Sequence, residues 1–113
     1  MITIDAADKT LGRVASAAAK ALLGKNSATF AKNVVAQDGV KIINASRVAL
    51  SGNKKQDKEY IRYSGYPDGQ KVENYAMLTA RKGQEEAIRK AVLGMLPKNK
   101  LQKQRMKMLT IEK

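Results

Sequence analysis

The sequence contains no cysteine, no histidine and no tryptophan, and it has a single phenylalanine. Without cysteine the chain has no disulfide framework, no thiolate nucleophile and no cysteine-based metal site. Without histidine it lacks the usual general base at neutral pH and the commonest ligand of transition metals. Serine–histidine–aspartate and cysteine–histidine catalysis are therefore excluded, and we expect a protein that is not an enzyme.

Long apolar segments are also missing. No run of apolar residues approaches the roughly 18 to 20 that are needed to cross a bilayer. The N-terminal residues Met1–Asp5 do not combine a basic region with a long apolar stretch, as a secretory signal does. A basic helix lying on a membrane would need a bulky apolar face opposite its charges. The sequence therefore favours a cytoplasmic protein without a membrane partner.

Positive charge is what the chain has in excess. Its 113 residues include 22 Lys and Arg but 10 Asp and Glu, which gives a net charge of +12. So strong a field on a small body suits an anionic polymer, whereas solubility alone would not require such an imbalance. Because the length is typical of one compact domain, we expect a single domain, 1–113, that binds nucleic acid.

Four short segments have the patterns of strands. Ile2–Ile4 alternates apolar and polar residues and, with the two residues after it, predicts a first strand. The β-branched segment Val40–Asn44 predicts a buried second strand, and Val48–Leu50 and Leu109–Ile111 are shorter candidates.

Two segments have the apolar spacing of amphipathic helices. The first begins near Leu11 and continues to Gly24, a residue suited to end a helix in a left-handed conformation. The second follows the acidic pair at 85–86 and should end near Leu96, because Pro97 cannot continue it. Residues 99–108 could form a further short basic helix. This order of strands and helices predicts an α/β fold with a small, mostly parallel sheet.

Residues 53–71 are predicted to form one long functional loop. Lysines stand at its base, Tyr60, Tyr63 and Tyr66 occupy its middle, and a Pro67–Gly69 turn lies near its end. Aromatic rings flanked by Lys and Arg can stack on unpaired bases while the charges hold phosphates. Alternatively, one or more of these rings anchors the loop to the core.

The C-terminal segment, 97–113, is the stronger signal for nucleic acid. It carries six Lys and Arg against Glu112 alone. Its cations do not fall on one helical stripe, and we expect Leu101, Met108 and Leu109 to contact the core. Binding to a folded RNA backbone explains this excess of charge better than solvation does.

Neither a nucleotide site nor a metal site is supported. Gly24–Ser27 has some features of a phosphate-binding loop, but Ala19 and Asn26 stand where that motif requires Gly and Ser or Thr. The glycine would also end a helix instead of preceding one, so the helix dipole is wrong for phosphate. The aspartates are scattered, and each can act as a cap or turn former. We expect no cofactor, no metal and no small-molecule substrate.

Several segments, in order and along nearly the whole chain, resemble the bacterial type of the large ribosomal subunit protein thirteen family. The most specific are Leu11-Gly12-Arg13 and the helix end Gly94-Met95-Leu96-Pro97. The matching segments are Ile4–Ala6, Lys9–Ala15, Leu23–Lys25, Ile43–Ala45, Ser51–Lys54 with Asp57, Lys58 and Tyr60, Ser64–Tyr66 with Gly69, and Ala91–Lys98 with Leu101.

The resemblance implies a three-layer α/β/α fold around a small four-stranded parallel sheet. It also implies a non-catalytic role in the ribosome: binding large-subunit (23S) rRNA beside neighbouring large-subunit proteins and supporting early subunit assembly. RNA contacts are implied at positions inside the matching motifs, namely Arg13, Lys25, Lys54, Lys58, Tyr60 and Lys98. Charge and loop placement add Lys55, Arg62, Tyr63, Tyr66, Lys100, Lys103, Arg105 and Lys107.

The chain departs from the family pattern in a few places. It has short termini, beginning almost at Ile4 and stopping at Lys113, where family members usually have an extension and a tail. Asp38 and Gly39 stand in reversed order, and Tyr63 replaces a common histidine.

Two other functions are compatible with the residues. A free-standing basic nucleic-acid-binding or regulatory protein would bind duplex DNA about as well as rRNA, although no recognition-helix pattern favours it. A small α/β enzyme would use a carboxylate pair and a metal, and it would lose magnesium-dependent turnover when Asp5 or Asp38 is replaced.

Overall fold

The structure, a computed structural model, describes residues 1–113. Five strands and five helices follow one another along the chain. The strands are β1 (Ile2–Asp5), β2 (Val40–Ile43), β3 (Glu59–Tyr63), β4 (Gln70–Asn74) and β5 (Leu109–Ile111). The helices are α1 (Leu11–Leu23), α2 (Lys54–Asp57), α3 (Tyr75–Lys82), α4 (Gln84–Met95) and α5 (Gln102–Lys107), and a short 3-10 helix spans Ala45–Arg47.

Three strands form a parallel sheet in the order β1-β2-β5. In its register Ile2 pairs with Val40, which pairs with Leu109, and the next apolar pair is Ile4 with Ile42. Because alternate side chains of a strand point to the same face, the register gathers these apolar side chains on one face. That face is the floor of the core.

The α1 helix covers this floor. Its buried positions include Leu11, Val14, Ala18 and Leu22, which recur every three or four residues. Its many alanines allow a close approach, so α1 contacts β1 and β2 on one side while α4 packs against it on another. The helix ends at Gly24, whose φ of 82° is the left-handed conformation predicted for this residue.

The C-terminal half returns the chain to the sheet. In α4 the buried Ile88 and Val92 contribute to the same core, and the chain leaves the helix at Leu96, just before Pro97. The short α5 follows, and β5 then adds to the edge of β2. The predicted strands at 2–6, 40–44 and 109–111 are therefore confirmed, and so are the predicted helices from about 11 to 24, from 85 to about 96 and within 99–108. The observed ends differ from the predicted ones by at most three residues.

The α/β class with a small parallel sheet is confirmed, but the sheet differs in two details from the expected one. It has three strands instead of four, because Val48–Leu50 contributes only an isolated parallel bridge between Ala49 and Thr10. Its second face is mostly polar: Ile43 is its one apolar residue, and Thr3 and Thr110 on that face are exposed. The α1 helix lies against β1 and β2, and α4 in turn packs against α1.

The prediction of one long loop over 53–71 is wrong. The segment folds into α2 and most of an antiparallel hairpin of β3 and β4, whose turn is the predicted Pro67–Gly69 region. The β-forming residues Tyr60, Ile61 and Tyr63 pair with a second run that ends beyond the expected loop, at Asn74.

The hairpin leads directly into α3, a helix that the apolar spacing did not predict. The side chain of Asn74 caps this helix by accepting a hydrogen bond from the Met77 N–H at 2.8 Å. Tyr75 and Leu78 are its buried residues. Because α3 is short and buries so few side chains, its apolar pattern is too weak to stand out.

Candidate nucleic-acid interface

Most of the cations on this molecule have no acidic partner. Of the 22 Lys and Arg, only Lys41, Arg62 and Arg81 form salt bridges, to Glu112 or Glu73. The remaining positive charge is therefore not neutralised within the protein. Such a surface attracts a polyanion.

The C-terminal segment presents one cluster of these cations, which we call the C-terminal patch: Lys98, Lys100, Lys103 and Lys107. All four side chains are exposed, two before α5 and two on it. The only nearby acid in the sequence, Glu112, is already paired with Lys41 at 2.8 Å. The patch is thus a group of free ammonium groups on a short helix and on the segment that leads into it.

Arg105 does not belong to the patch, although its charge predicted an RNA contact. It is 1% exposed and is the one charged residue in the core. A guanidinium nitrogen lies 3.4 Å from the Lys32 carbonyl oxygen, and its Nε has no partner. Because α5 places Arg105 on its inward side, a phosphate cannot reach it in this conformation.

A second cluster surrounds the base of the hairpin, and we call it the hairpin-base patch: Lys54, Lys55, Lys58 and Lys90. The first two lie on α2, Lys58 follows it, and Lys90 comes from α4. The ammonium groups of Lys58 and Lys90 lie 5.6 and 5.2 Å from the centre of the Tyr60 ring. Both distances are within the range of a cation–π contact.

Tyr60 anchors the hairpin to the body instead of presenting a free ring. It is partly buried and packs against the hydrophobic core. Burial raises the pKa of its hydroxyl, with the nearby Tyr75 as a smaller cause, and that hydroxyl has no hydrogen-bond partner. Of the two roles that the sequence allowed for this tyrosine, the structure supports the anchoring one.

Lys90 is the cation of this patch that sequence reasoning missed. It stands about thirty residues along the chain from Tyr60, on a helix whose apolar spacing predicted only a contribution to the core. No local pattern could connect it to the hairpin, since the contact depends on how α4 packs beside the hairpin.

Further along the hairpin, one carboxylate joins two cations. The Oε1 of Glu73 accepts hydrogen bonds from Arg62 and Arg81, both at 2.7 Å. Arg62 pairs across the strands with Lys71, a like-charged and exposed neighbour. Glu73 therefore offsets repulsion within the hairpin and ties it to α3, while Arg62 and Lys71 remain accessible.

The other two tyrosines are free. Tyr63 at the end of β3 and Tyr66 in the turn are both strongly exposed, and neither contributes to the core. Their rings are available to an external partner.

Arg13 and Lys25 are exposed but far from each other. Arg13 is on the first turn of α1, and Lys25 follows its C-terminal glycine. A helix of 13 residues rises by about 1.5 Å per residue, so roughly 20 Å separates its ends. These two predicted contacts therefore lie at opposite ends of α1.

The carboxyl end of the parallel sheet contains Asp5, one of the residues considered for an enzyme. Its Oδ1 accepts hydrogen bonds from the Asn44 side chain and the Ala7 N–H, each at 2.9 Å. These bonds, that of Asn44 above all, hold the pKa of Asp5 below its ordinary value. The carboxylate is thus used to fix the loops after β1 and β2. No three acidic, Cys or His side chains are grouped to hold a metal.

None of the helices has the length and apolar character that a membrane span requires. A groove of about 630 Å³ lies beside the segment that follows α1 and includes Phe30 and Val34 in its lining. Its lining has no Lys or Arg, so it is not part of either basic patch.

Comparison with known proteins gives one consistent result. The chain matches the family described as Ribosomal protein L13 over residues 1–111. It is 52% identical to the large ribosomal subunit protein uL13 of Moorella thermoacetica, over 96% of this chain and 74% of the relative. It is 49% identical to the uL13 protein of Beutenbergia cavernae and 50% identical to that of Kocuria rhizophila, in each case over 96% of this chain and 73% of the relative.

The family covers almost every residue described above, including both basic patches, the hairpin and the sheet. About half of all aligned positions are identical in bacterial relatives. A match of this extent assigns the chain to a family of ribosomal structural proteins, which are not enzymes and which act in the ribosome of the cytoplasm. The chain belongs to the ribosomal protein L13 family and is a structural protein of the large ribosomal subunit.

Proposed function

We propose that this protein binds the 23S rRNA of the large subunit and supports an early step of subunit assembly. Residues 1–113 act as a single ribosomal-protein domain with two RNA-contacting regions, the basic aromatic region at 53–71 and the basic segment at 97–113. The observation that carries the proposal is the C-terminal patch, four exposed lysines without a carboxylate partner.

Phosphate neutralisation is the main source of affinity in this proposal. An ammonium group that has no acidic partner gains most from a phosphate, because binding releases condensed counterions from the RNA. Lys98, Lys100, Lys103 and Lys107 supply one group of such contacts, and Lys54, Lys55 and Lys58 supply another. Arg13 and Lys25 extend the contact toward the two ends of α1.

The hairpin adds an oriented guanidinium and two exposed aromatic rings to this electrostatic contact. Arg62 is held in place by Glu73, so its guanidinium enters the interface already oriented. The exposed rings of Tyr63 and Tyr66 can stack on bases that are not paired, as aromatic side chains do in single-stranded RNA regions. Tyr60 contributes by fixing the hairpin, and Arg105 is left out because it is buried.

The test is a filter-binding measurement with protein-free 23S rRNA. Lys103→Gln combined with Lys107→Gln should weaken binding roughly tenfold at moderate salt, because two phosphate contacts are lost. The control pair, Lys20→Gln with Lys82→Gln, removes the same charge from exposed positions outside both patches. It should change the affinity by less than about threefold, since only the general field is reduced.

Equal losses from both pairs would contradict a localised interface. Equal affinity of the unaltered protein for duplex DNA and for 23S rRNA would favour the free-standing nucleic-acid-binding alternative. The assembly role is tested by order of addition: leaving the protein out of a reconstitution should block particles at an early sedimentation stage, and adding it last should not rescue them promptly.

A further inference from the structure

The β3–β4 hairpin has two faces with different chemistry. Strand alternation and the observed register place Tyr60 and Arg62 on one face, opposite Glu73 and Lys71. The other face consists of Glu59, Ile61 and Tyr63 opposite Asn74, Val72 and Gln70. We call it the neutral face because it has no Lys or Arg and its apolar residues outnumber its single acid. All of the hairpin's Lys and Arg are therefore on the first face.

The first face already has partners. The Tyr60 ring contacts the hydrophobic core and lies near two lysines, and Glu73 reaches Arg81 on α3. The neutral face has none of these contacts. Ile61 is 61% exposed, Tyr63 is 66% exposed and Val72 is 46% exposed.

This exposure is concentrated, not scattered. Ile61 and Val72 are direct cross-strand partners, and Tyr63 is two residues from Ile61 on the same face. Ile61 and Val72 form a continuous aliphatic patch on a two-stranded sheet, an element that is marginal unless something packs against it. Tyr63 lies at the turn end of this patch, where its ring remains available to a base. The turn holds the patch in shape, since the Ser64 N–H donates to the Gly69 carbonyl and a side chain at 69 would collide with Ser64.

We infer that the neutral face docks an apolar segment of a neighbouring large-subunit protein, one that also carries a Lys or Arg. Aliphatic side chains have no ring to stack on a base, and the face offers no cation to a phosphate. Its one charge is Glu59, which is exposed and forms no salt bridge. The net charge of +12 would repel a basic protein from most of the surface. At the neutral face such a protein meets no Lys or Arg, and its own cation can pair with Glu59.

The inference rests on the proposed function, because the protein must first be held in the subunit by rRNA. The direct test places a photoreactive benzophenone side chain at position 61 of the full chain. Large subunits are reconstituted from 23S rRNA and purified large-subunit proteins, irradiated, and digested for mass spectrometry. The control carries the same group at position 71, on the opposite face of the hairpin.

From position 61 we expect a link to one peptide of another large-subunit protein, with apolar residues and a Lys or Arg in it. From position 71 we expect links to rRNA. A link from position 61 to rRNA, to a second copy of this chain, or to nothing would overturn the inference.

A second experiment measures the contribution of the patch. Ile61→Ser combined with Val72→Thr removes its aliphatic surface, and Met77→Ser makes a similar change at an exposed position on α3. In competition with the unaltered protein, the double variant should occupy reconstituted subunits roughly tenfold less, the loss typical of a central interface contact. Met77→Ser should compete equally.

Binding to protein-free 23S rRNA separates the two proposals. The double variant should bind that RNA within twofold of the unaltered protein. An equal loss on protein-free RNA would mean that the patch contacts RNA, and undiminished subunit occupancy would mean that nothing docks there. Either result overturns the docking inference alone, whereas failure of the unaltered protein to bind 23S rRNA would overturn the proposed function.

Discussion

Arg105 illustrates how one position can depart from the average behaviour of its residue type. Its charge favours the surface, yet Leu101 and Met108 stand four residues before it and three after it, at the spacing of one helical face. Leu101 is partly buried and Met108 packs against the core, so Arg105 between them is drawn inward. The spacing was visible in the sequence, but the charge outweighed it in the prediction.

Burying a guanidinium without a carboxylate partner lowers the stability of the fold. Replacing it with an apolar side chain of similar volume should therefore not destabilise the protein. Arg105→Met keeps most of the side-chain volume and should leave the free energy of unfolding unchanged or raise it by about 1 kcal/mol. Arg105→Ala should lower it by about 2 to 4 kcal/mol, because it leaves a cavity. Urea unfolding measures both variants.

The same pair of variants distinguishes a core role from an RNA contact. Arg105→Met should bind 23S rRNA as well as the unaltered protein does, whereas Lys103→Met should bind it less well. A large loss of RNA affinity in Arg105→Met would show that the guanidinium reaches the RNA after all.

Asp5 shows the opposite case, an exposed charge with a structural use. Because Asn44 and the Ala7 N–H donate to it, the pKa of Asp5 in the folded protein is lower than in the unfolded chain. Its stabilising effect is therefore fully present above the ordinary Asp pKa of about 4 and is lost as the pH falls through the lower, folded-state pKa.

Asp5→Asn should accordingly reduce stability most at neutral pH, and the difference from the unaltered protein should shrink below about pH 4. Asn44→Gly removes the main donor while tolerating the positive φ of 58° at this position, and it should reduce the same pH dependence. Urea unfolding over a pH series measures the effect. A stability difference that stays constant with pH would mean that the hydrogen bonds do not favour the charged form.

At the scale of elements, the hairpin was the hardest part to foresee. Lysines, tyrosines and a Pro–Asp–Gly turn gave the segment the composition of a loop, and the pairing of β3 with β4 joins residues up to 15 apart, Glu59 and Asn74. The hairpin is held by contacts with other elements: Tyr60 with the core and Glu73 with Arg81 on α3. Neither contact has a local signature.

Other elements could be predicted because their signals are local. The alanine-rich spacing of α1, its terminal Gly24 and the β-branched run of β2 each determine the structure of their own segment. The two basic patches were partly predictable for the same reason, since unpaired lysines cluster in the sequence. Lys90 joins the hairpin-base patch only through packing. Val48–Leu50 makes a single bridge to Thr10, whereas Leu109–Ile111, of the same length, forms a strand, so local patterns could predict neither outcome.

Glu73→Gln tests whether the carboxylate holds the hairpin. Without it, Arg62 and Lys71 repel each other across the strands and Arg81 loses its partner. Because both arginines are partly exposed and screened by water, we expect a loss of about 1 kcal/mol in the free energy of unfolding. Amide hydrogen exchange should accelerate in β3 and β4.

The matched control is Glu59→Gln, at an exposed position of the same hairpin that forms no salt bridge. It should alter stability by less than about 0.5 kcal/mol. Equal protection of the hairpin amides in Glu73→Gln and in the unaltered protein would mean that the Tyr60 anchor is sufficient by itself.

At the scale of the whole molecule, the fold has more surface than its length requires. The radius of gyration is 15.0 Å, against about 13 Å for a compact chain of this size. The molecule measures 46 × 36 × 20 Å, and only 20 of its 113 residues are buried. A flattened body with a small core and a large positive charge is suited to gain stability from a polyanion that binds only the folded form.

The salt dependence of RNA binding tests this view of the whole surface. If the two patches and the ends of α1 together neutralise about six phosphates, the logarithm of the affinity for 23S rRNA should fall with the logarithm of the salt concentration at a slope near −4 to −5. Lys103→Gln with Lys107→Gln should reduce the magnitude of that slope by about 1.5 to 2, since two of the contacts are removed. The neutral-face variant, Ile61→Ser with Val72→Thr, should leave the slope unchanged, because it removes no charge. Filter binding at four or more salt concentrations gives all three slopes. A slope near zero for the unaltered protein would show that affinity does not come from phosphate contacts, and the exposed lysines would then need another explanation.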